Sequence, residues 1–177
     1  MRIEVKLSGA GIDQFASKVA ALGASAPTEM ARGLNDAGDK VRTQVRRALK
    51  VQMGVTKYGI VVDATSSIPA RPGGLVYKIT GDGKGLPIKD FPVSASPGGP
   101  VTAMPWGVAH TFQRSFVSSR KGRLLARRTS ARFPIRGLRG PSPAKELVKD
   151  QSLATFEAAV PAIVEPTVMA RLARLMP

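Results

Sequence analysis

Residues 27–54 read PTEMARGLNDAGDKVRTQVRRALKVQMG, and this stretch decides the fold. Met30, Leu34, Ala37, Val41, Val45 and Leu49 recur three or four positions apart, so one face of a helix is apolar along its whole length. Ser25, Pro27 and Glu29 supply start signals: a capping hydroxyl, a residue pre-set for the first turn, and an acid at the positive end of the helix dipole. Gly54 supplies the stop, because it accepts the left-handed conformation that closes a helix. The other face carries Arg32, Asp36, Lys40, Arg42, Arg46, Arg47 and Lys50, with acid leading and base trailing, which suits the helix dipole.

Working outward, Arg2, Glu4 and Lys6 alternate with Ile3, Val5 and Leu7, the period of a half-buried strand. Ile12, Phe15, Val19 and Leu22 then form a helical stripe closed by Gly23. Downstream, residues 55–67 fit the helix and strand templates equally. From Ile68 to Pro100 Gly and Pro dominate, and LVYKIT (75–80) and LPIKDF (86–91) flank Gly81-Asp82-Gly83-Lys84-Gly85, which reads as a hairpin turn. Residues 101–117, LLARRT (124–129) and FPIRGL (133–138) are further strand material, joined by a basic turn at Arg120-Lys121-Gly122. Ser142-Pro143 opens a C-terminal helix through Leu147, Leu153, Phe156 and Val160, which Pro161 and Pro166 interrupt, and Val168, Leu172 and Leu175 make a last stripe opposite Arg171 and Arg174.

The expectation is one α+β domain over 1–177: a twisted, mostly antiparallel sheet packed by the long helix, a Gly/Pro-rich hairpin arm at 68–100, and C-terminal helices at 142–177. No internal repeat is present. With 43% hydrophobic and 5% aromatic residues the chain can bury a modest core. It has no cysteine, which excludes disulfides and thiolate metal sites. MRIEVKLSG has no apolar signal region, and no stretch is read as approaching the about 18 to 20 apolar residues of a membrane span, so no membrane partner is expected.

The motifs argue against catalysis. Gly81 to Gly85 lacks the spacing and the Lys-Ser/Thr ending of a phosphate loop. His110 is the only histidine, so an imidazole metal site cannot exist. Asp13, Asp36, Asp39, Asp63, Asp82, Asp90 and Asp150 are scattered, with no metal-ligand spacing. No enzymatic activity and no cofactor is expected. Trp106, between Pro105 and Gly107, reads as a core or interface anchor rather than a base-stacking platform.

Charge is the informative property. The chain holds 27 Lys plus Arg against 12 Asp plus Glu, a net charge of +15. Between Asp90 and Glu146 there is no acid, while Arg114, Arg120, Lys121, Arg123, Arg127, Arg128, Arg132, Arg136, Arg139 and Lys145 are all present. Such a block cannot neutralise itself, so its counter-charge belongs to another molecule, either nucleic-acid phosphates or a neighbour's carboxylates. Phosphate contacts would be sequence-independent and steeply salt-dependent; protein contacts would also use Phe112, Phe116, Leu124, Leu125, Phe133 and Ile135.

The segment Phe112, Phe116-Val117, Arg120 to Arg123, Arg127-Arg128, then Arg132-Phe133-Pro134-Ile135-Arg136-Gly137-Leu138-Arg139-Gly140-Pro141-Ser142 and a closing helix resembles the phage minor tail protein Z family. The likeness in outline extends to the long helix with its basic end at Arg42, Arg46, Arg47 and Lys50. Residues 70–100 are longer and richer in Gly and Pro than the family pattern, and nothing is carried over to them. The resemblance implies a non-enzymatic virion component at the neck end of a siphophage tail, assembled in the host cytoplasm, that completes the tail and joins it to the head. It implies a homo-oligomeric ring, hexameric in the usual case, stacked with the tail terminator or tail tube and the head–tail connector, with the genomic DNA end nearby.

On that reading Arg114, Arg120, Lys121, Arg123, Arg127, Arg128 and Arg132 face DNA or a partner, and Trp106, Phe116, Pro134, Ile135, Gly140, Pro141 and Ser142 lie near a subunit interface. The rival is a free basic nucleic-acid-binding protein without catalytic activity.

Overall fold

The computed structural model of the chain describes residues 3–6, 25–95, 99–118 and 122–175. The helix expected over 12–22, and Arg120 and Lys121 of the basic turn, lie outside them.

Strand β1 is Ile3–Lys6, and helix α1 runs Ala26–Met53 with Pro27 in its first turn. The stripe from Met30 to Leu49 is buried throughout. Each large apolar side chain so buried contributes roughly 1.5–3 kcal/mol, and this stripe fixes how the helix lies. Gly54 ends α1 at φ 73, donating its N–H to the carbonyls of Lys50 and Val51. Ser25 makes no side-chain cap. The ambiguous run that follows divides at Ala64, with α2 at Tyr58–Asp63 and β2 at Thr65–Ile68.

The strands continue with β3 (Lys78–Gly81), β4 (Val93–Ala95), β5 (Val101–Ala103), β6 (His110–Phe112), β7 (Ser115–Val117), β8 (Leu124–Arg127) and β9 (Ile135–Gly137). Short 3-10 turns lie at Ile88–Asp90 and Pro105–Gly107. Helices α3 (Pro143–Glu146), α4 (Asp150–Ala159) and α5 (Glu165–Leu172) close the chain. The α+β class and the antiparallel pairing stand as read from the sequence. The strands, however, divide among three small sheets, ordered β1-β3-β2, β4-β5-β6 and β7-β8-β9. Strands of three or four residues do not carry one ladder past the intervening Gly and Pro.

The expected hairpin between LVYKIT and LPIKDF does not form. β3 is the centre strand of its sheet, with Ile79 opposite both Val5 and Ser67, so both its edges are occupied. Residues 86–88 pair elsewhere: the N–H groups of Leu86 and Ile88 donate to the carbonyls of Pro141 and Leu138, and Gly140 N–H donates to Leu86 O. Gly85 permits this approach, since a Cβ there would stand 2.3 Å from the Gly140 carbonyl oxygen. Tyr77, Ile79, Leu86, Ile88 and Phe91 are therefore part of the main core rather than of a projecting arm.

Pro161 and Pro166 do not interrupt the C-terminal helix either. α4 passes through a π turn at Val160–Val164 into α5. The wider turn tolerates the missing N–H of Pro161, and Pro166 occupies the first turn of α5, where its N–H is not needed. The 23-residue run Asp150–Leu172 holds an 18-residue window of mean hydropathy 1.3 and is thus long and apolar enough to cross a membrane by length and composition alone, contrary to the reading that divided it at the prolines. Here it lies antiparallel along α1. Gln52 meets its beginning through Ser152, Gly33 meets Val168, and Arg171 near its end reaches Glu29 and Asp36.

Candidate polyanion-binding face

The described residues of the basic block, Lys145 of α3 apart, sit on the third sheet and its turns. Register decides which side chains share a face, because directly paired residues project the same way. Ser115, Ala126 and Arg136 are paired in one row. Ser115 and Ala126 are buried, as is Leu138 beyond β9, so this side of the sheet is largely packed inward. The other side carries Phe116, Leu125 and Gly137 in one row, and Arg127 opposite Ile135 in the next. Arg114 joins that row, its carbonyl accepting the Arg127 N–H at 3.0 Å. The outward face therefore alternates cations with apolar side chains.

Local structure presents the cations. Arg114 lies in the turn between β6 and β7 at φ 56, exposed. The Arg127 guanidinium lies 5.2 Å from the centre of the Phe116 ring and that of Arg132 lies 5.7 Å from the centre of the Phe133 ring, so both are held over aromatic faces. Arg123 and Arg128 are exposed at the two ends of β8. Arg139 donates to the Gly85 carbonyl at 3.0 Å.

Ion pairs on the helical side of the molecule join Arg32 and Arg171 with Glu29, Arg171 also with Asp36, Arg42 with Asp39, and Lys149 with Glu146 and Asp150. None of these involves a cation of the third sheet. The hydrogen bond from Arg32 lowers the Glu29 pKa; burial opposes it less strongly, and the hydrogen bond from Arg171 adds a further, smaller lowering. The hydrogen bond to Glu146 raises that of Lys149.

Two cavities border the sheet. One of about 580 Å³ lies between the β6–β7 turn and the end of β8 and includes Arg114, Phe116 and Arg127 in its wall. Another of about 450 Å³ is walled by Lys89, Arg123, Leu125 and Arg139 among others. No carboxylate lines either.

The expected interface residues separate into two groups. Trp106 is 45% exposed, with His110 edge-on to it at 6.2 Å, and Ile135 is exposed beside Pro134, which follows Phe133 through a cis peptide bond. Phe133, 65% exposed, is the largest apolar surface in the block. Phe116 is half-buried under Arg127. Gly140, Pro141 and Ser142 are instead committed within the chain. A Cβ on Gly140 would stand 2.6 Å from the Phe91 ring, Pro141 is buried, and Ser142 Oγ donates to the carbonyls of Asp82 and Gly83 rather than capping α3.

Arg42 and Arg46, on the charged face of α1, are drawn inward. Arg42 donates to Ser67 Oγ and to the Tyr77 hydroxyl, and Arg46 to Thr65 through its side-chain and main-chain oxygens. The Tyr77 hydroxyl in turn donates to Asp39 at 2.6 Å, and burial, reinforced by this bond, raises its pKa. Sequence spacing could not reveal the second, polar junction: Gln52 donates to the carboxylate and carbonyl of buried Glu146 and accepts the Ser152 N–H. Chemistry-bearing residues elsewhere have structural tasks. Ser115 Oγ accepts Val101 N–H and donates to Phe112 O, and Asp82 accepts Lys84 N–H. Among the described residues no group of His, Asp and Glu is placed to hold a metal ion. No family model, no curated protein and no solved structure matches this chain.

Proposed function

We propose that this chain is a structural virion protein that completes the head-proximal end of a phage tail and helps join the tail to the head, as a ring near the DNA end. One observation carries the reading: the third sheet and its turns present Arg114, Arg127, Arg128 and Arg132, all exposed, with no carboxylate paired to them among the described residues. Repeated around a rotation axis, such a face concentrates positive potential in a channel, where phosphates are neutralised without bases being read. Phe133 and Ile135, exposed next to Arg132 and Arg136 in the chain, and Trp106, exposed elsewhere, favour a protein neighbour over an isolated nucleic-acid-binding domain. Gly140 to Ser142 are released from the interface, since they hold the chain's own seam.

The test is location and assembly. Purified tailed particles should contain the protein at their neck, by labelling in electron micrographs. Reversal of Arg123, Arg128 and Arg132 to Glu should leave the isolated fold intact and abolish completed particles. Particles of normal yield and infectivity from that variant would overturn the proposal.

A further inference from the structure

The cavity between the β6–β7 turn and the end of β8 has the chemistry of an anion cradle. Arg114 and Arg127 both contribute to its wall, together with Gln113, Thr129 and Ser130. Arg127 is stacked on Phe116, which orients its planar fork, and Arg114 is placed by a turn in which it adopts φ 56. The wall holds two cations and no acid, so an anion entering it would meet no fixed negative charge. At about 580 Å³ the space is larger than a single phosphate group needs, and the exposed Arg128 and Arg132 flank its lining residues Thr129 and Ser130 in the chain.

We infer that this cavity binds one backbone phosphate of a DNA strand, with Arg114 and Arg127 as its fork and Thr129 and Ser130 as accessory donors. The continuation of exposed cations past the cavity selects a polynucleotide over a free anion, because a lone phosphate would use only the fork. The biological setting rests on the role proposed above, but the pocket is tested on the purified full chain, so its failure is distinct from failure to find the protein in particles.

Binding to a short labelled duplex is measured by fluorescence anisotropy across a salt series, with inorganic phosphate titrated in parallel. Arg114→Gln combined with Arg127→Gln should weaken binding and lower the slope of log affinity against log salt by about one, the loss of one neutralised phosphate. Lys40→Gln, on the exposed side of α1, should leave the slope unchanged. If the double variant misfolds by circular dichroism, Arg114→Gln alone, at an exposed turn, must still weaken DNA binding. Equal slopes for the wild type and the pocket variant, an equal loss in the Lys40 variant, or absence of duplex binding would overturn the inference. So would saturable binding of inorganic phosphate that depends on Arg114 and Arg127 while DNA binding does not.

Discussion

Gly38 of α1 lies directly against the ring of Tyr77: a Cβ at Gly38 would stand 2.5 Å from the ring Cγ. Tyr77 is 1% exposed and its hydroxyl is held by Asp39 and Arg42, so the ring cannot withdraw. Gly38→Ala should therefore destabilise the fold by about 1–3 kcal/mol despite the higher helix propensity of Ala. Urea unfolding measures this, and an unchanged midpoint would contradict the packing described.

Gln52 joins α1 to both α3 and α4 with one side chain. Gln52→Leu leaves the Ser152 N–H and one carboxylate oxygen of Glu146 without these bonds. A loss of about 2–4 kcal/mol is expected, measured as a shift in chemical denaturation. Amide exchange should quicken at the start of α4 before it does in the middle of α1.

Two glycines near one another in sequence should respond with opposite sign. Gly54 has φ 73, and a Cβ there would stand 2.9 Å from Gly107 N, so Gly54→Ala should cost about 1–2 kcal/mol. Gly59 lies within α2 with nothing near its Cβ position, so Gly59→Ala should stabilise by about 0.5–1 kcal/mol. Thermal unfolding of the pair decides it.

Acid stability should depend on Glu29. Its folded-state pKa is lowered by Arg32 and Arg171 from an ordinary value of 4.5, so its contribution is present above that value and is lost as pH falls through the lower folded one. Arg171→Gln removes one partner and should flatten the fall in stability below about pH 4.5. Unfolding midpoints of the two proteins across that range measure the effect; parallel curves would contradict it.

Phe133 and Ile135 are exposed on the cation-bearing sheet. Replacing both by Ser should change stability by no more than about 0.5 kcal/mol, as for surface positions generally. On the proposed role it should also reduce incorporation into particles, counted by quantitative immunoblot of purified virions.

Local signals were sufficient for much of the architecture. The stripe from Met30 to Leu49 specifies a helix and its buried face together, because the spacing of apolar side chains follows the helical repeat. The αL stop at Gly54 is equally local, being set by one residue's conformational freedom. The strands around Phe116, Leu125 and Ile135 were visible in composition, and the run of unopposed cations was visible in charge.

Pairing was not visible, because a strand's partner is chosen by what reaches its edges. Leu86 to Ile88 looked like the mate of LVYKIT until β1 and β2 are found on both edges of β3, leaving that segment to join residues 138–141. The prolines misled for a related reason: a π turn and packing along α1 carry the helix through Pro161, which propensity alone forbids. Arg42 and Arg46 likewise point inward only because Ser67, Tyr77 and Thr65 stand beside α1 to receive them.

By itself, then, the order of residues determined the long helix, its stop, the α+β class and the excess of positive charge, each a property of near neighbours or of composition. Only the tertiary structure decided that the strands make three sheets, that Gly140 to Ser142 close a seam, and that Arg114 and Arg127 share a cavity. Those outcomes depend on which distant segments compete for the same edge or face, and that competition is settled by packing across the whole chain.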